Sequence, residues 1–378
     1  MTEALGLYFH IPFCKTRCDY CGFYSVGRTP DSRFVEALSA EMQRRAKNFA
    51  HRPCDTVYLG GGTPSALSAE QLTVLFREIR ANFSVTPDAE ITMEMNPSDM
   101  SEAYLDHALS LGINRLSVGV QSRDDRLLRH IGRRHTGKEA ERAVKRAYRA
   151  GFHNISIDLM YELPHQSPSD FRKSLLWAVH LPIQHISVYS LILEEGTRFS
   201  QMADRGLLAR PTEEESWRMY QDMCRVLPHY GLERYEISSF ARKGYRSKHN
   251  QKYWDLSDYL GMGPGASSRI GHTRFTNVPG VRRYERKLLL GNLPDTETEA
   301  LSPQDEREEY CFLALRRKEG IDLSDFRNRY GKGISFWYGE KIDFLKEKKL
   351  LKEDRGRLFL TYRGAALGNY VFEQFIPD

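Results

Sequence analysis

Short apolar runs alternate with amphipathic segments along the first half of the chain. The apolar runs predict strands over residues 6–12, 56–62, 90–97, 115–122, 154–164 and 185–193. Helical periodicity between them predicts helices over residues 31–48, 68–82, 101–111, 138–150 and 167–179. Strands that alternate with helices are typical of a parallel sheet, and right-handed crossovers without reversal of strand order curl such a sheet into a barrel. We therefore predict an α/β fold, a partial (β/α)6 barrel.

The second half of the chain is less regular. It contains a predicted helix over 213–230, a strand segment over 231–241 and a polar stretch with two prolines over 291–304 that indicates a linker. Helices over 304–317, 323–330 and 335–346, a hairpin of 350–353 with 358–361 and a last helix from residue 362 are expected beyond it. This order predicts a barrel in residues 1–240, a connecting region with an HNxxYW motif in 241–300 and a small helical, winged-helix-like domain in 301–378.

Polar and glycine residues stand where several predicted strands end. A cysteine-rich loop follows the first strand, Gly60-Gly61-Gly62-Thr63-Pro64 follows the second, and Glu94 closes the third. In parallel barrels the chemistry gathers at the carboxyl ends of the strands. Three glycines permit close backbone approach to a ligand, although a simple strand–helix turn is the alternative. Glu94 faces either solvent or the interior of the barrel, where a carboxylate accepts hydrogen bonds from a ligand.

The cysteine-rich loop has the spacing C-x3-C-x2-C, formed by Cys14, Cys18 and Cys21. Thiolates bind zinc and iron–sulfur clusters. Three thiolates on a four-iron cluster leave one iron open to a small chelating ligand. A zinc site with His10 as fourth ligand and three unrelated buried thiols are the alternatives. The other cysteines, Cys54, Cys224 and Cys311, are scattered as core residues are.

The composition of the chain indicates little about its chemistry, but it limits the partners and the cellular compartment that we expect. The chain has 378 residues and a net charge of +5, which makes no case for a nucleic-acid partner. Six cysteines, three of them clustered, do not form a disulfide framework and favour a reducing compartment. Because no signal-peptide pattern and no apolar window of about 20 residues occurs, we expect a cytoplasmic protein without a membrane span. Peripheral association with a membrane stays open.

The cysteine spacing, with the aromatic Tyr20 before the last cysteine, resembles the radical S-adenosylmethionine (SAM) superfamily. The resemblance implies a [4Fe–4S] cluster on Cys14, Cys18 and Cys21, with SAM on the open iron. It implies one SAM molecule, or two as in the oxygen-independent coproporphyrinogen dehydrogenase group. The cofactor-binding residues that it implies are Tyr8, Tyr20, Gly61, Gly62, Thr63, Glu94, Gln121, Arg133 and Asp158.

The segments GGGTPS, SVGVQS, IDLMYELPHQS, YEISSFA and HNQKYW follow one another as in the HemW-type heme chaperones, relatives of the dehydrogenase HemN. This resemblance covers nearly the whole chain and implies that heme is bound and handed to an acceptor protein, whose identity is unknown. The heme contacts expected in the HNxxYW motif are His249, Tyr253 and Trp254, because histidine binds heme iron and aromatic rings pack on porphyrins. A structural histidine between two aromatic residues is the alternative.

Two positions depart from the relatives. Phe23 stands where HemN has a further cysteine, so dehydrogenase activity is not expected to carry over. Ser267 stands where many relatives have a histidine. The second hypothesis is a radical SAM enzyme, either a HemN-like dehydrogenase or a HemN-like methyltransferase, and the third is a cluster-bearing structural protein. No catalytic residue is assigned.

Overall fold

The computed structural model describes residues 4–376, apart from the side chain of Glu297. Residues 1–3 and 377–378, the outer ends of the predicted first and third regions, lie outside the described residues. The strands are β1 (Leu5–Ile11), β2 (Pro53–Gly61), β3 (Ser84–Met95), β4 (Arg115–Gln121), β5 (Ile155–Tyr161), β6 (His185–Ser190), β7 (Glu233–Arg234), β8 (Ser239–Ala241), β9 (Tyr259–Met262), β10 (Ser267–Ile270), β11 (Thr273–Asn277), β12 (Asp295–Ala300), β13 (Ile321–Asp322), β14 (Leu351–Asp354) and β15 (Arg357–Leu360).

The helices follow the predicted alternation in the first half of the chain. They are α1 (Ser32–Phe49), α2 (Ala69–Asn82), α3 (Glu102–Ser110), α4 (Asp125–His130), α5 (Gly137–Ala150), α6 (Pro168–Ala178), α7 (Arg198–Asp204), α8 (Glu213–His229), α9 (Lys248–Trp254), α10 (Val281–Leu289), α11 (Pro303–Arg316), α12 (Leu323–Tyr330), α13 (Ile334–Glu347), α14 (Tyr362–Ala366) and α15 (Gly368–Glu373). Capping residues set their starts: the Ser68 side chain accepts from the Gln71 N–H while the Gln71 side chain accepts from the Ser68 N–H.

The six strands β1 to β6 are parallel and lie in chain order, with no reversal. This arrangement confirms the predicted α/β partial barrel. Within the described residues the sheet stays open, because β12 and β7 lie at its two edges. The carboxyl ends of the six strands therefore meet on one rim, and their loops are brought together there.

The two faces of the barrel strands differ in character. Leu59, Met93 and Val118 belong to the face that packs on the helices and are fully buried. The opposite face is polar: Tyr58 pairs with Thr92, and Thr92 pairs with Arg115, all three buried. Side chains alternate between faces along a strand, so each polar residue two positions further also points inward. The interior of the barrel is consequently lined with hydrogen-bonding groups.

Residues 241–300 differ from the predicted connecting region. Strand β9 pairs in parallel with β1, and β10, β11 and β12 extend the same sheet by antiparallel pairing. The buried Glu41 of α1 accepts hydrogen bonds from the Gly263 N–H (2.9 Å), the Tyr284 hydroxyl (2.6 Å) and the Asn277 amide (2.8 Å). The expected linker is the edge strand β12, whose charged, mostly exposed sequence is what an edge strand requires and therefore imitates a loop.

The last 70 or so residues have a separate core, counted roughly from α11 onward. Helices α11, α12 and α13 pack with the sheet β13-β15-β14 around Phe326, Leu345 and Leu358. This agrees with the predicted small helical domain. Among the described residues, none of the helices combines the length and apolar content that crossing a bilayer requires.

Candidate functional site

A cavity of about 530 Å³ opens at the carboxyl ends of the barrel strands. That volume lies in the range of small-molecule sites. The three clustered cysteines border it, together with eight of the nine residues predicted to bind the cofactor: Tyr20, Gly61, Gly62, Thr63, Glu94, Gln121, Arg133 and Asp158. The ninth, Tyr8, lies below the cavity, where its hydroxyl is 2.9 Å from His10 Nδ1.

The cysteine loop is held by its own backbone and by neighbouring loops. The Cys14 N–H donates to the Val26 carbonyl (3.0 Å), and the Cys21 N–H donates to the Cys18 carbonyl (3.2 Å). None of the six cysteines, all within residues 4–376, is disulfide-bonded. Over the same residues, no three His, Cys, Asp or Glu side chains converge closely enough for one metal ion. The three thiols border one cavity.

The glycine loop packs against the cysteine loop. Gly61 has a left-handed backbone (φ 101°), and a Cβ there would strike the His10 ring. A Cβ on Gly62 would lie 2.7 Å from the Ile11 carbonyl oxygen. Packing within the chain therefore requires glycine at both positions. As a consequence, backbone without side chains borders the cavity here. Thr63, the next residue, places Oγ1 3.4 Å from the Cys14 sulfur.

Two half-buried carboxyls face the cavity from β3 and β5. Glu94 accepts hydrogen bonds from the Tyr58 hydroxyl (2.8 Å) and from the Gly61 N–H (3.1 Å). The pKa of Glu94 is raised to about 7, mainly because the carboxyl is buried; the hydrogen bond from Tyr58 opposes the rise and the nearby Asp158 contributes to it. Burial likewise raises the pKa of Asp158 to about 6, while Arg115 opposes the rise. Near neutral pH these groups accept and release protons easily.

Gln121 and Arg133 supply polar atoms that lack partners in the described protein. Gln121 adopts a left-handed backbone (φ 68°) at an irregularity in the β4–β5 pairing, and its Oε1 is buried without a hydrogen bond. Arg133 donates to the Gly119 carbonyl and lies 3.7 Å from the Cys18 sulfur, yet its Nε is also buried and unpaired. Buried polar atoms are normally hydrogen-bonded. The unpaired atoms therefore fit a polar ligand such as the methionine or ribose part of SAM.

Helix α9, which contains the HNxxYW motif, closes the opposite end of the barrel. The N–H groups of Lys248 and His249 each donate to the Glu90 carboxylate (3.1 Å). His249 is 0% exposed, with Nδ1 2.8 Å from Thr56 Oγ1 and Nε2 2.9 Å from the Tyr253 hydroxyl. Its ring stacks on Tyr58 at 5.1 Å between centroids. Burial lowers the pKa of His249 to about 3, so the ring is neutral.

The predicted heme contacts His249, Tyr253 and Trp254 therefore do not face open space. Both ring nitrogens of His249 are engaged, and Trp254 stacks under the Arg316 guanidinium, 4.5 Å from its ring centroid. In this conformation His249 has no nitrogen free for a heme iron. The structure favours the structural alternative for this motif, in which His249 supports the cavity floor through Tyr58 and Glu94.

Sequence reasoning missed Tyr58, which donates to Glu94, and Arg115, whose positive charge lowers the pKa of Asp158. Both lie on the inward face of their strands, two residues before Gly60 and Ser117 respectively. Side chains alternate between the two faces of a strand, so the same alternation applied to β2 and β4 would have placed Tyr58 and Arg115 on the face that carries Glu94.

Comparisons with known proteins identify related chains over almost the full length. The Radical SAM superfamily profile matches residues 8–178, and the HemN C-terminal domain profile matches residues 301–367. The heme chaperone HemW of Lactococcus lactis is 39% identical over 98% of this chain and 97% of its own length. The heme chaperone HemW of Bacillus subtilis is 37% identical over 98% and 99%.

A solved structure shares the fold over a similar extent. Coproporphyrinogen III oxidase (HemN) from Escherichia coli superposes with a TM-score of 0.86 at 24% identity, over 99% of this chain and 90% of that one. The similarity includes the barrel, the antiparallel extension of its sheet and the small helical domain. At this identity the comparison establishes the architecture and leaves the chemistry to the site residues.

We expect the stability of the cluster-free protein to depend on Glu94 ionisation. Because the folded-state pKa is about 7 against an ordinary 4.5, the stabilising contribution of this carboxyl is complete below pH 4.5 and is lost as the pH rises toward 7. Asp158 contributes in the same sense between pH 3.8 and about 6. Melting temperatures between about pH 5 and pH 8 should therefore fall less in Glu94→Gln than in the wild type.

The matched control for this measurement is Glu102→Gln at the exposed first turn of α3. It should melt with the wild-type pH dependence. Parallel curves for wild type and Glu94→Gln would show that Glu94 does not ionise in this pH range.

We expect His249→Ala to lower the free energy of unfolding by about 3 kcal/mol, because it opens a cavity and leaves the Thr56 and Tyr253 hydroxyls without their buried partner. Denaturant melts measure this loss. Lys248→Ala, one residue away and exposed, is the control and should change stability by less than about 0.5 kcal/mol. Equal stability of the two variants would contradict a structural role for His249 at the end of the barrel opposite the cavity.

Proposed function

The chain belongs to the HemW family of radical SAM proteins, and on that premise we propose that it is a heme chaperone that carries a [4Fe–4S] cluster and SAM. One observation carries the proposal: 98% of the chain aligns, at 39% and 37% identity, with proteins named heme chaperones. The cavity supports the cofactor part, because it gathers three cysteines and eight further residues of the expected site on one rim.

Cys14, Cys18 and Cys21 would hold the cluster, which when bound supplies an electron to the sulfonium of SAM. The remaining side chains bind and orient. Gln121 Oε1 and Arg133 Nε offer one acceptor and one donor that have no protein partner. Glu94 and Asp158 have pKa values of about 7 and about 6, so near neutral pH each can be ionised or protonated. Their oxygens can therefore accept hydrogen bonds from a ligand or donate one to it.

Heme and an acceptor protein are the partners in this proposal. We further propose a cytoplasmic location, because the cysteines of the described chain are unpaired and a cluster on partly exposed thiolates suits a reducing compartment. Ligation of heme by His249 would require α9 to leave the barrel floor, since both nitrogens of the ring are occupied.

A radical SAM enzyme acting on a porphyrinogen is the second candidate. The complete cofactor cavity favours it, since a chaperone role alone does not require Glu94, Gln121 or Asp158 at that place. The fold of HemN is shared as well. Against this candidate, Phe23 occupies the position of the additional cysteine and presents an exposed ring at the cavity mouth.

We expect anaerobic reconstitution with iron and sulfide to load one [4Fe–4S] cluster, with the broad absorption of such clusters near 400 nm. Cys14→Ala should abolish loading, because two thiolates no longer hold three corners of the cluster. Cys311→Ala, which removes a buried thiol of the C-terminal domain, is the control and should load normally. Stoichiometric zinc in the native protein, with no iron, would contradict the cluster.

One cluster-loaded preparation should separate the two candidate functions. We expect hemin to give a saturable Soret band, and coproporphyrinogen III with SAM and a reductant to give no protoporphyrinogen IX. HemN under the same conditions is the positive control for turnover. Turnover accompanied by release of 5′-deoxyadenosine would replace the chaperone proposal with the enzyme, and the absence of hemin binding would remove heme as a ligand.

A further inference from the structure

We propose that heme binds at the mouth of the cofactor cavity, with one face of the porphyrin on Phe23, Tyr189 and Ile192 and its propionates toward the cations of the cysteine loop. This inference rests on the proposed heme function and names the place where that function is exercised. It moves the heme site to the end of the barrel opposite the HNxxYW motif.

The apolar half of the proposed site consists of three large exposed side chains that line the cavity mouth. Phe23 is 67% exposed, Ile192 57% and Tyr189 42%. A Cβ on Gly22 would lie 2.7 Å from Glu194 Cγ, so the cysteine loop and the loop after β6 are in contact and form one continuous rim. Exposed apolar groups gathered around a cavity mark a binding surface. The flat apolar ring of heme requires such a surface.

The polar half of the site is cationic. Lys15 and Arg134 share the single buried carboxylate of Asp99, at 2.7 Å and 3.8 Å. Arg17 donates to the Cys21 carbonyl (3.2 Å) and forms no ion pair with a carboxylate among the residues that the structure describes. Glu194 adds one negative charge on the apolar side of the mouth. The cysteine-loop side therefore keeps an excess of positive charge, which matches the two propionates of heme.

The proposed site at the cavity mouth and the HNxxYW motif at the opposite end of the barrel differ in their exposure to solvent. Phe23 and Ile192 offer their surface without any rearrangement, whereas His249 is 0% exposed and tied to Thr56 and Tyr253. A flat apolar ligand can reach these exposed side chains directly from solvent. At the floor it would first have to break the hydrogen bonds from α9 to Glu90 and Thr56.

Hemin titration of the cluster-loaded full-length protein tests the proposal. Because each side chain is worth at least about 1.5 kcal/mol when covered, Phe23→Ala and Ile192→Ala should each weaken hemin affinity about tenfold. The wild type should bind hemin more tightly than its dimethyl ester, whose propionates are blocked. Arg17→Ala should reduce that preference by about fivefold, the effect of losing one exposed ion pair of about 1 kcal/mol.

Two kinds of control keep the result specific. Leu289→Ala and Phe336→Ala remove exposed apolar side chains (85% and 61%) elsewhere on the surface, and they should bind hemin like the wild type. His249→Phe retains an aromatic ring in the floor and should also bind normally; a folded His249→Phe that loses the Soret band would place the heme at the floor and overturn the inference.

The inference and the proposed function fail in different ways. If the wild type binds hemin but Phe23→Ala and Ile192→Ala bind it equally well, the mouth site is wrong and the chaperone proposal stands. If the wild type does not bind hemin, the heme function itself fails. Thermal melts of the rim variants should match the wild type, because their side chains are exposed.

Discussion

The polar interior of the barrel is the constraint on which the rest of the structure depends. The strands present Tyr58, Thr92, Arg115 and their neighbours to the barrel interior, where all three side chains are buried. Buried polar groups cost free energy unless they find hydrogen-bonding partners. The elements at the two ends of the barrel supply, or leave room for, the hydrogen-bonding partners of these groups. The outward apolar face, by contrast, is satisfied simply by packing on helices.

The two ends of the barrel differ in how their buried polar groups are hydrogen-bonded. At the amino ends of the strands the chain supplies its own partners, since His249 of α9 bonds to Thr56 and the start of α9 is held by Glu90. At the carboxyl ends it does not: Gln121 Oε1 and Arg133 Nε stay buried and unpaired beside the cavity. These unpaired atoms at the carboxyl ends border an open cavity, whereas α9 covers the amino ends, so the open end is the one that can receive a ligand. Tyr58 connects the two, because it stacks on His249 and donates to Glu94.

The sequence predicted the barrel well because strand–helix alternation, capping residues and cysteine spacing are local signals. It placed β4 and α5 almost to the residue, and it gathered Glu94, Gln121 and Asp158 at one rim. It failed where local signals mislead. The edge strand β12 resembles a linker because solvent-facing edges are charged. The position of α9 depends on contacts such as that between His249 and Thr56, 193 residues apart, which no local pattern carries.

The difference between the closed and the open end of the barrel bears on how a heme chaperone and an oxidative enzyme can share one fold. The floor is closed by the chain itself, so any large ligand enters from the rim that also holds the cysteines. Heme and SAM would then use a common entrance, with SAM deeper and the porphyrin across the opening. Access for both ligands is accordingly decided at that opening, where Phe23 presents an exposed apolar ring. An aromatic side chain at the opening adds apolar binding surface for a porphyrin and brings no reactive group of its own.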